Sequence, residues 1–186
     1  SVYSSNSRSS CVCAWRILAS MLFGGGSGID HECADFRADT DRLIDELRPD
    51  AVLLRATWMY DMPLYRGDNR GNFLMNIIKA SLAGRPAAWS KQEYRGVTYV
   101  REVAQKVLEA VQLPGGIYNF GSETTLSMYG TARSLMDLLG IRAELEEAGP
   151  RRNLWMDGGK LRQHGLAFMK VEDGFAQCIR DYALNG

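Results

Sequence analysis

The chain lacks the features that would carry it to a membrane or to nucleic acid. Its one apolar segment near the start, Cys11 to Phe23, is too short to span a bilayer and contains Arg16. No start methionine precedes that segment and no clean cleavage site follows it, so it is not read as a secretory signal. Charge of neither sign is in excess: 22 basic residues balance 22 acidic ones, and no basic stripe stands out. Nucleic acid is therefore not an expected partner. Histidine is scarce, with two in the chain, and cysteine is limited to four. Cys11, Cys13 and Cys33 fall in one short segment and Cys178 stands alone in a C-terminal helical pattern. A chain with room for a core does not need bridges, and a reducing, cytoplasmic setting is expected.

Two motifs near the N-terminus fail on spacing. Cys11-x-Cys13 with His31-x-Cys33 supplies zinc-type ligands, yet structural zinc sites separate their cysteines by about two to four residues. No metal is assigned. Gly24-Gly25-Gly26-Ser27-Gly28 invites a phosphate-loop reading, but neither Gly-x-Gly-x-x-Gly nor a following Gly-Lys-Ser/Thr is present, and no convincing strand precedes it. A flexible linker is the expectation. Residues 1–38 thus form a poorly defined N-terminal segment, and ordered periodicity begins at residue 39.

What is present is an ordinary globular composition, 46% apolar and 24% charged, and a clear organising strand. Asp50 to Asp61 reads Asp-Ala-Val-Leu-Leu-Arg-Ala-Thr-Trp-Met-Tyr-Asp. The run from Ala51 to Ala56 is apolar apart from Arg55, which suits a strand buried on both faces of a parallel sheet. At its carboxyl end stand Thr57, Trp58 and Tyr60, where open parallel sheets bind ligands.

Before that strand, Leu43, Ile44 and Leu47 mark one helix face, ended by Arg48-Pro49. After it, residues 61–71 have the composition of a surface loop over a site. Asn72 caps a helix carrying Phe73, Leu74, Ile77, Ile78 and Leu82 and ending at Gly84. Arg85 to Thr98 reads as extended or irregular. Val100, Val103, Ala104, Val107, Leu108 and Val111 fit a helical face. Ile117 to Gly121 reads as a strand. Ser127 caps a helix with Tyr129, Ala132, Leu135, Met136 and Leu139 inward and Gly140 at its end. Ile141 to Leu145 is a further candidate strand, and Phe175, Ile179 and Tyr182 define a closing helix behind Glu172-Asp173. Strands alternating with helices define an α/β chain without internal repeats.

Four short stretches in order carry a family resemblance. Arg55-Ala56-Thr57-Trp58-Met59-Tyr60 is similar to an Arg-Thr-Ser-Trp-Val-Tyr strand. Gly96-Val97-Thr98-Tyr99-Val100-Arg101-Glu102-Val103-Ala104 matches a Gly-x-Pro-Thr-Tyr-Val-x-Asp-Val-Ala stretch without its proline. Gly116-Ile117-Tyr118-Asn119 matches a Gly-x-Tyr-Asn/His strand. Asn153, Asp157 and Lys160-Leu161 follow the order of an Arg-Pro-x-Asn-x-x-Leu-Asp region. Together they resemble the extended short-chain dehydrogenase/reductases, in the branch containing dTDP-4-dehydrorhamnose reductase.

The resemblance implies a partial Rossmann-like parallel sheet with a small C-terminal substrate-binding part, over residues 39–186. It implies NAD or NADP as cofactor, against Ala56, Thr57 and Trp58. It also implies a nucleotide-sugar substrate held by Trp58, Tyr60, Arg95, Arg151, Arg152 and Asn153, the arginines suiting a diphosphate through bidentate contact. Plainer readings stand beside each: Trp58 as a packing residue, the arginines as solvated charge, Asn153 as a turn cap. The family also needs a Tyr-x-x-x-Lys pair, in which the tyrosine acts as acid and the lysine lowers its pKa. No such pair exists in the chain, and the corresponding positions fall near Cys33 and Arg37. No catalytic residue is therefore assigned. Most of the glycine-rich first half also lacks a counterpart, so the expectation is a truncated, catalytically impaired reductase or epimerase. The rival is a non-catalytic nucleotide-sugar-binding or regulatory module. Strand edges left open by such a truncation favour association, so a homo-oligomer is an expected partner.

Overall fold

The computed structural model describes residues 17–21 (backbone), 39, 41–44, 46–62 and 72–182. The candidate zinc cluster, the glycine-rich linker, the Cys33 and Arg37 register and most of the loop at 61–71 lie outside these residues.

The organising strand lies where the apolar run demands. Strand β1 (Ile17–Met21) and strand β2 (Val52–Ala56) pair in parallel, and β2 pairs on its other side with β7 (Gly116–Phe120), a strand much further along the chain. The order β1-β2-β7 puts β2 in the middle. Val52, Leu53 and Leu54 are all at most 3% exposed, as a strand covered on both faces requires. Strand β1 corrects the expectation that no strand precedes the glycines. Periodicity does not separate a short apolar strand from other apolar segments, and pairing with β2 is what decides.

Beyond β2 the chain forms β3 (Trp58–Tyr60), helix α1 (Phe73–Leu82), β4 (Ala87–Trp89), β5 (Glu93–Tyr94) and β6 (Val97–Tyr99). Helix α2 (Val100–Ala110) leads to β7, followed by α3 (Met128–Leu138), β8 (Leu145–Glu147), β9 (Arg152–Asn153), α4 (Gly159–Gln163) and α5 (Val171–Asp181). The short strands pair in parallel as β3 with β6, β4 with β8 and β5 with β9. This is an α/β architecture, consistent with a partial Rossmann-like fold. Among the described residues no helix is long and apolar enough to cross a membrane.

The caps form as their residue types require. The Asn72 side chain accepts from Met75 N at 2.9 Å, and Ser127 accepts from Gly130 N at 3.3 Å. Phe73, Leu74 and Ile77 of α1 meet Ala132, Leu135 and Met136 of α3 and Phe175 of α5 in one core. A second core gathers Val52, Leu54, Tyr118 and Phe120 of the sheet with Leu161 and Leu166.

Several inward assignments are corrected. Leu43 is 50% exposed and Leu47 76%, whereas Asp41 is 6% exposed. The reason is Arg55: its guanidinium Nε donates to Asp41 Oδ2 at 2.8 Å, so the helical turn at 41–44 faces the sheet with its acid instead of its leucines. The Arg55 side chain is itself 41% exposed, and it pairs the carboxylate of Asp41, which as a buried charge needs such a partner. Leu82 and Leu108 are also exposed, at 84% and 74%. The expected strand at 141–145 begins only at Leu145, and the short α4 was not foreseen.

Glu102 ties the segment between α4 and α5 to helix α2. It is buried, and its Oε1 accepts from Met169 N at 2.8 Å while Oε2 has no partner among the described residues. Burial pushes its pKa up, against the smaller opposing effects of the Met169 N–H and of Lys106. A carboxyl whose folded pKa is raised stabilises fully only below its unfolded pKa and loses that stability as pH rises through the folded one. Glu102→Gln keeps an acceptor for Met169 N and removes the charge. It is therefore expected to match or exceed the parent's thermal midpoint at pH 7, with the difference vanishing near about pH 4. A variant clearly less stable at pH 7 would show that the charged form is what holds the segment.

Candidate functional site

The site begins where β2 ends. Ala56 is buried, in register with Met21 and Phe120, and offers no group to a ligand beyond its backbone. Thr57 follows at 8% exposure, its N–H donating to Phe120 O at 3.3 Å. The chain then turns into β3, and Trp58 comes out half-buried among aromatic rings. Its ring meets Phe73 edge-on at 6.0 Å and Trp89 at 6.0 Å, while Phe73 and Trp89 are 4.8 Å apart.

Arg95 lies over this cluster, its guanidinium carbon 5.2 Å from the centroid of Trp58. The side chain is buried, with the residue only 6% exposed. Burial pulls its pKa down; the neighbouring Glu93 carboxylate pushes it back up, and Arg152 pulls it lower. The β5–β9 pairing sets Glu93 opposite Arg152, and Arg152 Nε donates to Glu93 Oε1 at 2.8 Å. Arg95 approaches the same oxygen at 3.6 Å, too far for a hydrogen bond. Two guanidinium groups and one buried carboxylate therefore converge beside an indole at a strand end. Such a group can hold a phosphate or carboxylate by charge-assisted hydrogen bonds and a planar ring by stacking.

Of the expected site residues, the structure brings together Thr57, Trp58, Arg95 and Arg152. Tyr60 does not join them. It shares a face of β3 with Trp58, but that face runs from the strand end into the core, where Tyr60 is 1% exposed between Tyr99 and Phe175. Its hydroxyl has no hydrogen-bond partner among the described residues, and burial drives its pKa up. Arg151 is exposed. Asn153 is exposed and its side chain accepts from Trp155 N at 3.0 Å, the turn-capping role.

Two participants were not foreseen, Glu93 and Trp89. Both lie in the stretch read as extended or irregular, and nothing local to the sequence sets Glu93 opposite Arg152. Trp89 also lines a cavity of about 430 Å³ with Asn76, Ala80, Arg85 and Pro86. A second cavity of about 320 Å³, at the carboxyl end of β7, is lined by Gly121, Glu123, Arg162, Phe168 and Lys170. Among the described residues no group of three or more metal-type side chains gathers.

No family model and no curated protein matches the chain. Solved structures do. The chain resembles dTDP-4-dehydrorhamnose reductase from Bacillus anthracis in complex with NADP at 13% identity and a TM-score of 0.67, over 89% of this chain and 64% of that one. For the Clostridium acetobutylicum dTDP-4-dehydrorhamnose reductase ortholog the figures are 13%, 0.69, 90% and 65%. The UDP-N-acetylglucosamine 4-epimerase of Methanobrevibacter ruminantium, in complex with UDP-N-acetylmuramic acid, gives 16% and 0.63, over 90% and 62%. The chain thus spans just under two thirds of the length of these enzymes. At these identities the likeness is one of fold: a partial Rossmann-like α/β chain of the kind found in nucleotide-sugar reductases and epimerases. Among these structural neighbours are the dTDP-4-dehydrorhamnose reductases that the sequence motifs also resemble.

Proposed function

We propose that the chain is a nucleotide-sugar-binding part of a protein like the NAD(P)-dependent nucleotide-sugar reductases and epimerases, spanning less than two thirds of their length and without a Tyr-x-x-x-Lys pair in its sequence. The observation that carries this reading is the buried Arg95 guanidinium lying over Trp58 at the strand end and converging with Arg152 on Glu93. In this reading Arg95 and Arg152 grip the diphosphate, while Trp58 faces the sugar or the base. Ala56 and Thr57 form the floor against which a nicotinamide ring would rest.

The fit to NAD(P) itself stops there. Among the described residues no glycine-rich turn opens a helix to receive a pyrophosphate, and no Tyr-x-x-x-Lys pair stands beside Thr57. No hydride step is therefore assigned to this chain. The same observation favours a second reading, a module that keeps the nucleotide-sugar cleft for binding or regulation without chemistry.

Titration of dTDP-glucose against intrinsic tryptophan fluorescence tests the proposal. The parent protein is expected to give a saturable change, and Trp58→Phe to weaken the affinity several-fold, up to about tenfold. A saturable response left intact in Trp58→Phe would remove Trp58 from the site.

A further inference from the structure

Three strand ends meet behind Trp58 in a knot of hydroxyl and backbone groups, of which the site expectations included only Thr57. Thr98 of β6, fully buried, is at its centre. Its Oγ1 accepts from the backbone N–H of Ser122 at 2.7 Å and is hydrogen-bonded to Thr57 Oγ1. The packing is tight enough to exclude side chains on two neighbours. A Cβ on Gly121 would collide with Thr57 Oγ1 and come within 2.7 Å of Thr98 Oγ1, and a Cβ on Gly96 would collide with Ser122 O.

Counting protons gives this knot a direction. Ser122 N–H can only donate, so Thr98 Oγ1 is an acceptor there. Suppose Thr57 also donated to Thr98. The hydroxyl hydrogen of Thr98 would then be sealed in a fully buried position with no other acceptor among the described residues, a costly arrangement. The satisfied arrangement has Thr98 donating to Thr57. Thr57, at the end of β2 and 8% exposed where Thr98 is fully buried, then keeps a hydroxyl hydrogen that has no acceptor among the described residues.

We infer that Thr98 is a positioning residue: it fixes the Thr57 hydroxyl as an outward-facing hydrogen-bond donor for an oxygen of the bound ligand. This rests on the ligand site proposed above and adds both the residue that orients it and the polarity of the contact. An ether, hydroxyl or carbonyl oxygen of a sugar, which accepts, suits that donor.

The test uses Thr57→Val, Thr98→Val, their double variant and Thr98→Ser, with dTDP-glucose as probe. Loss of one such hydrogen bond is expected to weaken binding by up to about tenfold in either valine variant. The double variant should lose no more than Thr98→Val alone, because both act through one contact. Thr98→Ser, which keeps the hydroxyl, should restore the affinity to within about twofold. Thr98→Val will also unfold more readily, which a purely structural role explains as well, so stability alone does not decide. Unchanged affinity in Thr98→Val, or losses that multiply in the double variant, overturns the inference. If the parent protein does not bind dTDP-glucose, the nucleotide-sugar reading falls and this inference falls with it, whereas a parent that binds while Thr98→Val binds equally well overturns this inference alone.

Discussion

Arg95→Met is expected to lower dTDP-glucose affinity by roughly 30-fold or more while shifting the thermal midpoint by less than about 4 °C. The two effects separate because of how Arg95 is held. Its charge is desolvated, as its downward pKa shift reflects, and its carboxylate neighbour Glu93 lies at 3.6 Å. Glu93 is already bonded to Arg152 at 2.8 Å, so removing Arg95 does not strand a buried anion. Methionine has the length to keep packing on the Trp58 ring, and its sulfur suits an aromatic neighbour. The stability cost of the substitution is therefore small, and the binding cost is that of losing a charged donor from a water-poor site. Calorimetric titration and a thermal scan on the same preparation measure both. Equal affinity in parent and variant would take Arg95 out of the site.

Phe175→Ala has the largest expected effect on the fold. Phe175 is fully buried, stacks on Phe73 with centroids 5.9 Å apart and meets Tyr60 at 5.0 Å. Those contacts join helices α5 and α1 and strand β3, so the cavity left by truncation opens where three elements meet and little can collapse into it. Phenylalanine-to-alanine changes in cores cost about 3–5 kcal/mol, which is a large fraction of the roughly 5–15 kcal/mol that holds a typical domain folded. Urea denaturation should show the midpoint falling with little change in slope. A loss below about 1 kcal/mol would mean that the core closes without Phe175.

Particular elements show what could be read from residues alone. Strand β2 was legible because an apolar run broken only by Arg55 has few other places to go, and α1 and α3 because Asn72 and Ser127 cap them. The expectation of a ligand at the end of β2 came from the parallel sheet, which puts Thr57 and Trp58 at a carboxyl end. Strands β4, β5 and β6 were not legible. Each has two or three residues, too few for a period, and each is held by a partner far along the chain, such as β9 for β5. The orientation of the turn at 41–44 was hidden for a related reason. Its leucines obey the helical pattern, but Arg55 elsewhere in the chain sets which side faces in. Glu93 escaped notice because its role exists only once β5 and β9 bring Arg152 opposite it.

The most direct measurement follows the indole N–H signals of Trp58, Trp89 and Trp155 by two-dimensional NMR as dTDP-glucose is added. Trp155 is about half exposed and capped into the turn at Asn153, outside the aromatic group around Arg95. If the strand end of β2 is where ligand binds, the Trp58 and Trp89 signals move together to a saturating limit while Trp155 barely shifts. Saturation with Trp58 unmoved would put the ligand elsewhere and contradict the assignment.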